Sequence, residues 1–81
     1  MNKKLDAVLS SIEEIRVDPT VPRNIKSKME EVGKILKENE LSLGTSKALG
    51  ELEFVSNDVN MESFTRMQIL SVISQLENLC A

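Results

Sequence analysis

The sequence contains no histidine, tryptophan or tyrosine, and it has a single cysteine, Cys80. Without histidine, a Ser/His/Asp or Cys/His catalytic set cannot form, and zinc sites lose one of their main ligand types. One cysteine cannot form an internal disulfide, which favours a reducing cytoplasm as the location. These absences predict a protein that is not an enzyme and that holds no metal or cofactor.

Aromatic residues and long apolar runs are also scarce. Phe54 and Phe64 are the only aromatic side chains, so we expect an aliphatic core in which methionine fills the gaps. No run of about 18 apolar residues is present, and the chain opens on a charged amphipathic segment, so we expect neither a membrane span nor a signal peptide. A pI near 4.9 argues against nucleic acid as the main partner.

The chain does contain an internal repeat with a period of forty residues. The stretch from Asp18 to Lys26 is echoed by the stretch from Asp58 to Arg66. Apolar residues coincide at the same offset, namely Val8 with Ala48, Leu9 with Leu49, Ile12 with Leu52, Ile15 with Val55, Met29 with Ile69, Val32 with Val72 and Leu36 with Leu76. A fixed period of this kind indicates a duplicated unit of two helices joined by a corner.

Apolar residues spaced three and four apart predict four helices. They are expected at about 2–17, from an N-cap at Thr20 to about Asn39, at about 43–57 after an N-cap at Ser42, and from an N-cap at Asn60 to about Leu79. Asp18 and Asp58 are expected to bind backbone amides at the corners, with Arg23 or Arg66 as salt-bridge partners.

Two hairpins, about 2–39 and 42–80, are each too small to bury their apolar stripes alone. We therefore expect them to pack face to face in one domain spanning residues 1–81. Short connections favour an all-α, antiparallel up-and-down four-helix bundle. The alternative is a two-unit fragment of an α-solenoid, but solenoids usually need at least three repeats.

The corners also carry a family resemblance. Asp18 and the run from Thr20 through Val21, Pro22, Arg23, Asn24 and Ile25 to Lys26, with the echo at Asp58, Asn60, Met61 and Arg66, resemble uncharacterised protein family 0147. The resemblance covers nearly the whole chain, although Val59 and Glu62 stand where prolines are expected. It implies a compact four-helix bundle in an archaeal cytoplasm, and it implies no activity and no functional residues.

The two halves differ at four positions that are polar in the first and apolar in the second. Phe54 replaces Glu14, Phe64 replaces Asn24, Met67 replaces Ser27 and Leu70 replaces Glu30. If a pseudo-twofold axis relates the hairpins, these residues form an outward apolar patch, and such patches mark contact surfaces. This pattern predicts a non-enzymatic interaction or scaffold module that forms a homodimer or higher homo-oligomer, with an unidentified protein as a further partner. The alternative is that helix four is central and buries both faces within its own monomer.

The cations of helix two support a second interpretation. Arg23, Lys26 and Lys34 form a candidate basic strip, which would suit a nucleic-acid-associated protein. Glutamates interleave with these cations, and no exposed aromatic side chain is predicted there for stacking on bases. A solvated, salt-bridged face is therefore the simpler interpretation.

Overall fold

A computed structural model describes residues 3–79 of the chain, and these residues form four helices and no strand. The helices are α1 (Lys3–Val17), α2 (Arg23–Glu38), α3 (Leu41–Ser56) and α4 (Ser63–Leu79). The predicted all-α fold is therefore confirmed.

The helices pack in a ring, in the order α1, α2, α3, α4 and back to α1. Lys28, near the start of α2, bonds Glu51, near the end of α3. In the same way Ile15, near the end of α1, shares a groove with Phe64 at the start of α4. Contacts between the start of one helix and the end of its neighbour are those of antiparallel packing in a closed bundle. The radius of gyration of 11.7 Å agrees with the value of about 12 Å expected for a chain of this length.

The core is aliphatic, because both phenylalanines lie on the surface. Its buried residues are Val8, Ile12, Ile15, Val21, Ile25, Met29, Val32 and Leu36 from the first hairpin and Ala48, Leu52, Val55, Met61, Ile69, Val72, Ile73 and Leu76 from the second. Burying one such side chain stabilises the fold by about 1.5–3 kcal/mol, so this cluster supplies the main driving force for folding.

The two corners make the same turn. Asp18 Oδ1 accepts hydrogen bonds from the backbone N–H of Thr20 at 2.9 Å and from its hydroxyl at 2.7 Å. Asp58 Oδ1 accepts from the backbone N–H of Asn60 at 2.9 Å. The expected role of both aspartates as acceptors of corner amides is confirmed.

These turns explain why the predicted N-caps at Thr20 and Asn60 were wrong. The Thr20 hydroxyl donates a hydrogen bond to Asp18, so Thr20 belongs to the turn, as does Asn60 in the second corner. The helices that follow begin three residues after these positions, α2 at Arg23 and α4 at Ser63. Ser42 is also not a cap, because α3 already begins at Leu41 and the N–H of Gly44 donates to the carbonyl of Glu40 at 2.8 Å.

Arg66 closes the second corner. Its guanidinium donates to the backbone carbonyl oxygens of Ser56 and Asp58, the latter at 2.6 Å. The expected salt bridge with an aspartate carboxylate is wrong, since the ion pairs within residues 3–79 join neither Arg23 nor Arg66 to Asp18 or Asp58. The carbonyl oxygens of Ser56, at the end of α3, and of Asp58, in the corner, gain a charged donor instead.

Candidate protein-interaction surface

The two halves of the chain have the same pattern of exposure. From Asp6 to Asn39, every residue is buried, half-buried or exposed in the same way as the residue forty positions later. The repeat is therefore a pseudo-twofold symmetry of the bundle, which relates α1 to α3 and α2 to α4. Positions that differ in chemistry between the halves can be compared directly, because their surroundings match.

The four apolar substitutions of the second half all lie on the surface. The exposed fractions are 78% for Phe54, 59% for Phe64, 68% for Met67 and 49% for Leu70. Their polar counterparts Glu14, Asn24, Ser27 and Glu30 are exposed as well. The alternative in which helix four buries both of its faces within the monomer is therefore wrong.

Phe64 and Met67 lie together at the groove between α1 and α4. Ser11, Glu14, Gln68 and Ser71 complete its polar lining. Leu70 lies one turn beyond Met67 on the exposed side of α4. We call Phe64, Met67 and Leu70 the α4 stripe.

Phe54 lies on a different side of the bundle. It lines the groove between α2 and α3, with Asn24, Ile25 and Lys28. In the ring of helices this groove is opposite the groove between α1 and α4. The structure thus separates Phe54 from the α4 stripe, and the four residues do not form one continuous patch.

The α4 stripe lies on a face of α4 that carries no charge. Between Ser63 and Leu76, Arg66 is the only charged residue, and it is bonded to the corner carbonyls. The exposed residues beside the stripe are Ser63, Ser71 and Ser74. Depletion of charge around exposed apolar side chains is typical of the centre of protein interfaces.

The two opposite grooves also differ in how they are bridged. Lys28 Nζ lies 3.0 Å from Glu51 Oε2 and connects α2 to α3. Hydrogen bonds to the carboxylates of Glu51 and Glu31 raise the pKa of the Lys28 ammonium above its ordinary value. In the groove between α1 and α4 the counterparts are Gln68 and Ser11, and the buried Oε1 of Gln68 has no hydrogen-bond partner among the described residues.

The cations of α2 are widely spaced along the helix, and Glu30 lies between Lys26 and Lys34. Arg23 and Lys26 lie in its first turn, and Lys34 lies roughly 16 Å further along the helix than Arg23. Lys34 lines the groove between α1 and α2, whose charged lining consists of Arg16, Lys34, Lys37, Glu13 and Glu30.

Ion pairing further reduces the positive character of that groove. Arg16 Nε donates to Glu13 Oε2 at 2.8 Å, and this bond lowers the pKa of the Glu13 carboxyl. Gly33 lines this groove, and a Cβ added there would meet only Ile12 Cγ2, at 4.0 Å, whereas its counterpart in the second hairpin is the buried Ile73. The surface of the groove is of mixed charge.

The helices of residues 3–79 also bear on metal binding and on membrane insertion. In this range, no group of three His, Cys, Asp or Glu residues is placed to hold a metal ion. None of the four described helices is long and apolar enough to cross a membrane. Cys80 lies outside the described residues.

Comparison with known proteins gives one family. The model of an uncharacterised protein family, UPF0147, matches residues 1–79. A protein of this family from Methanocaldococcus jannaschii is 43% identical over 75 residues, which are 90% of this chain and 81% of that one. A second, from Archaeoglobus fulgidus, is 36% identical and covers 95% of this chain and 90% of its own.

Solved structures give the same result for the fold. The crystal structure of a protein of unknown function, MMP1188, superposes with a TM-score of 0.85 at 38% identity, covering 91% of this chain and 86% of that one. A protein of family UPF0147 from Thermoplasma acidophilum superposes with a TM-score of 0.88 at 27% identity, covering 94% and 92%.

Proposed function

Because this chain belongs to uncharacterised protein family UPF0147, whose name assigns no activity, we propose a function from its own surface: a non-enzymatic helical module that self-associates through the α4 stripe. The observation that carries the proposal is the exposure of Phe64, Met67 and Leu70 at positions where the other hairpin has Asn24, Ser27 and Glu30. The expected cytoplasmic location and the absence of a cofactor are part of the same proposal.

The matching exposure of the two halves removes the simplest structural explanation for these side chains. A bundle of this shape tolerates polar residues at the counterpart positions, because α2 has them at equal exposure. The apolar residues of the α4 stripe therefore add nothing that the fold of the monomer requires. Water contact with exposed apolar surface is unfavourable, so a second molecule that covers it gains free energy.

We assign the covering molecule as a second copy of this chain. The stripe and its serine neighbours on α4 carry no charge, so the centre of a contact between two copies buries no ion. The charged residue beside it, Glu14 of α1, is exposed and can stay at the rim of such a contact. A stable interface covers about 800 Å² on each partner. The described surface measures 5213 Å², so a contact of that size covers about 15% of it and extends beyond the three residues of the stripe to neighbours such as Ser63, Ser71 and Ser74.

Sedimentation velocity of the purified chain would test this proposal. The wild type should sediment as a dimer, and a variant with Phe64→Asn, Met67→Ser and Leu70→Glu should sediment as a folded monomer. Each replacement is the residue at the counterpart position, where the same fold already accommodates it. Circular dichroism would check that the helices are retained.

The matched control is Phe54→Glu, which also introduces the counterpart residue but in the opposite groove. This control should remain dimeric, because Phe54 lies away from the α4 stripe. If the wild type and the triple variant are folded monomers of equal mass, self-association through this surface is wrong.

A second candidate function is nucleic-acid association, favoured by the position of Lys34 with Arg16 and Lys37 around one groove. Binding to phosphates would weaken steeply with added salt. It would also be lost when Lys34 and Lys37, which line that groove, are changed to glutamate. Filter binding to a random duplex at two salt concentrations would measure both effects, and salt-independent binding would exclude this function.

A further inference from the structure

The α4 stripe is short and oblique. Its residues are three apart, so each member lies about 4.5 Å further along the helix and 60° around it. In one direction the same row continues to Ile73, which is buried at 8% exposure. In the other direction the helix begins at Ser63, and Met61, in the corner that precedes it, is buried at 9% exposure. Buried apolar residues therefore lie beyond both ends of the stripe.

Met67 is the centre of the exposed part of this row. It has the largest exposed fraction of the three side chains, 68%, and Phe64 and Leu70 flank it at equal spacing. In a contact between two identical surfaces, a residue contacts its partner's equivalent only where it lies on the twofold axis, and an axis through the middle of the stripe passes Met67. A twofold axis anywhere else along α4 would set part of the stripe against serines or against Glu62 or Glu77.

The slope of the row also determines the angle between the two helices. Rows of residues three apart are inclined by roughly 45° to the helix axis. For the row of one copy to lie along the row of another, the two helix axes must turn by about twice that angle. Side-by-side antiparallel helices would separate Phe64 and Leu70 laterally from the partner's stripe and bring only Met67 into apolar contact.

We infer that in the dimer the two Met67 side chains meet on the twofold axis and the two α4 helices cross at about 90°. This inference rests on the proposed self-association and adds the position of the axis and the crossing geometry. Ser74, which points almost in the same direction as Met67 but lies about 10 Å further along α4, is then too far from its equivalent to touch it.

Disulfide trapping would test this geometry. In a Cys80→Ser background, Met67→Cys and Ser74→Cys are compared under mild oxidation, after sedimentation has established whether each reduced protein is a dimer. Two cysteines can be bridged only when their Cα atoms lie within about 7 Å. Met67→Cys should form a covalent dimer at least tenfold faster than Ser74→Cys, and 6 M urea should abolish the difference.

The outcomes separate the two proposals. If the background protein is a dimer and Ser74→Cys cross-links as fast as Met67→Cys, the central axis and the steep crossing are wrong, but self-association stands. If the background protein is a monomer, self-association is wrong and the geometry with it.

A second measurement does not require a substitution at Met67. A sample that mixes copies labelled with ¹³C at the methionine methyl groups with unlabelled copies should show a filtered nuclear Overhauser effect between the Met67 methyl groups of the two. Absence of this signal in a dimeric sample would overturn the placement of Met67 on the axis, even where Met67→Cys weakens the dimer.

Discussion

Lys28 and Glu51 form an ion pair that connects α2 to α3, with 3.0 Å between Nζ and Oε2. The ammonium also lies 3.0 Å from Glu31, so two carboxylates hold it at the edge of the groove. In the opposite groove the counterpart positions hold Gln68 and Ser11, and this bridge is absent there.

Transferring the ion pair to the opposite groove should stabilise the fold. The double variant Ser11→Glu, Gln68→Lys should gain more free energy of unfolding than the two single variants gain together. We expect the excess to be up to about 1 kcal/mol, because partly exposed pairs seldom contribute more. Urea unfolding of the four proteins gives the coupling free energy. Salt should reduce this coupling, and a value of zero at low ionic strength would mean that the grooves are less alike than their exposure suggests.

The hydroxyl of Thr45 is buried without a hydrogen-bond partner among the described residues, in a side chain of 0% exposure. Thr45→Val keeps the shape and removes the unpaired group, so it should stabilise the protein by about 1 kcal/mol. For a domain of this size that corresponds to a rise in Tm of roughly 4–8 °C. Thr45→Ser, which keeps the hydroxyl and loses the methyl group, should lower Tm, and equal Tm values for the three proteins would contradict this account.

Replacing the two glycines of α3 by alanine should change the stability of the protein in opposite directions. A Cβ added at Gly50 meets no atom within 4 Å, so Gly50→Ala should stabilise the protein by about 1 kcal/mol through helix propensity. A Cβ at Gly44 would lie 3.2 Å from the carbonyl oxygen of Ile35 and 3.6 Å from the Cα of Leu36, both backbone atoms. Gly44→Ala should therefore destabilise the protein, and thermal unfolding of both variants would show whether the signs differ.

Asp18 should make stability depend on pH in the acid range. Hydrogen bonds from the hydroxyl and the backbone N–H of Thr20 hold the pKa of its carboxyl below the ordinary value of 3.8. A lowered pKa means that the folded state favours the carboxylate. The stabilisation is fully present above pH 3.8 and is lost as the pH falls through the lower folded value.

The variant Asp18→Asn should therefore be less stable than the wild type at neutral pH and equally stable in strong acid. Thr20→Ala should show part of the same change, because it removes the hydroxyl donor and leaves the backbone donor. Unfolding curves at a series of pH values would measure both differences. If the difference in the free energy of unfolding between Asp18→Asn and the wild type does not decrease on acidification, the charge of Asp18 is not its cause.

The forty-residue period allowed the fold and the core to be predicted from the sequence. Ile12 and Leu52 illustrate this, because each lies at helical spacing within its own hairpin and each is buried in the bundle. The corners could not be located as well, because the choice of Thr20 as an N-cap depends on where its hydroxyl points. Hydrogen bonding to Asp18 makes that residue part of a turn instead.

The candidate surface could be predicted only in part. The offset identified four exposed apolar side chains, because the matching positions of the first hairpin are polar. It could not show that Phe54 and Phe64 lie on opposite sides of the molecule, since that depends on which helix packs against each flank of α3 and α4. Spacing along one helix contains no information about its neighbours.

The pseudo-twofold symmetry also bears on how the chain can be connected. Antiparallel packing of α1 and α4 brings Leu79 beside the start of α1, in the place that Asn39 occupies beside the start of α3. A circular permutant that joins α4 to α1 by a short linker and opens between Asn39 and Glu40 would therefore keep every helix-to-helix contact. The two hairpins should then fold in either order along the gene, because the helix-to-helix contacts depend on their pairing and not on which comes first.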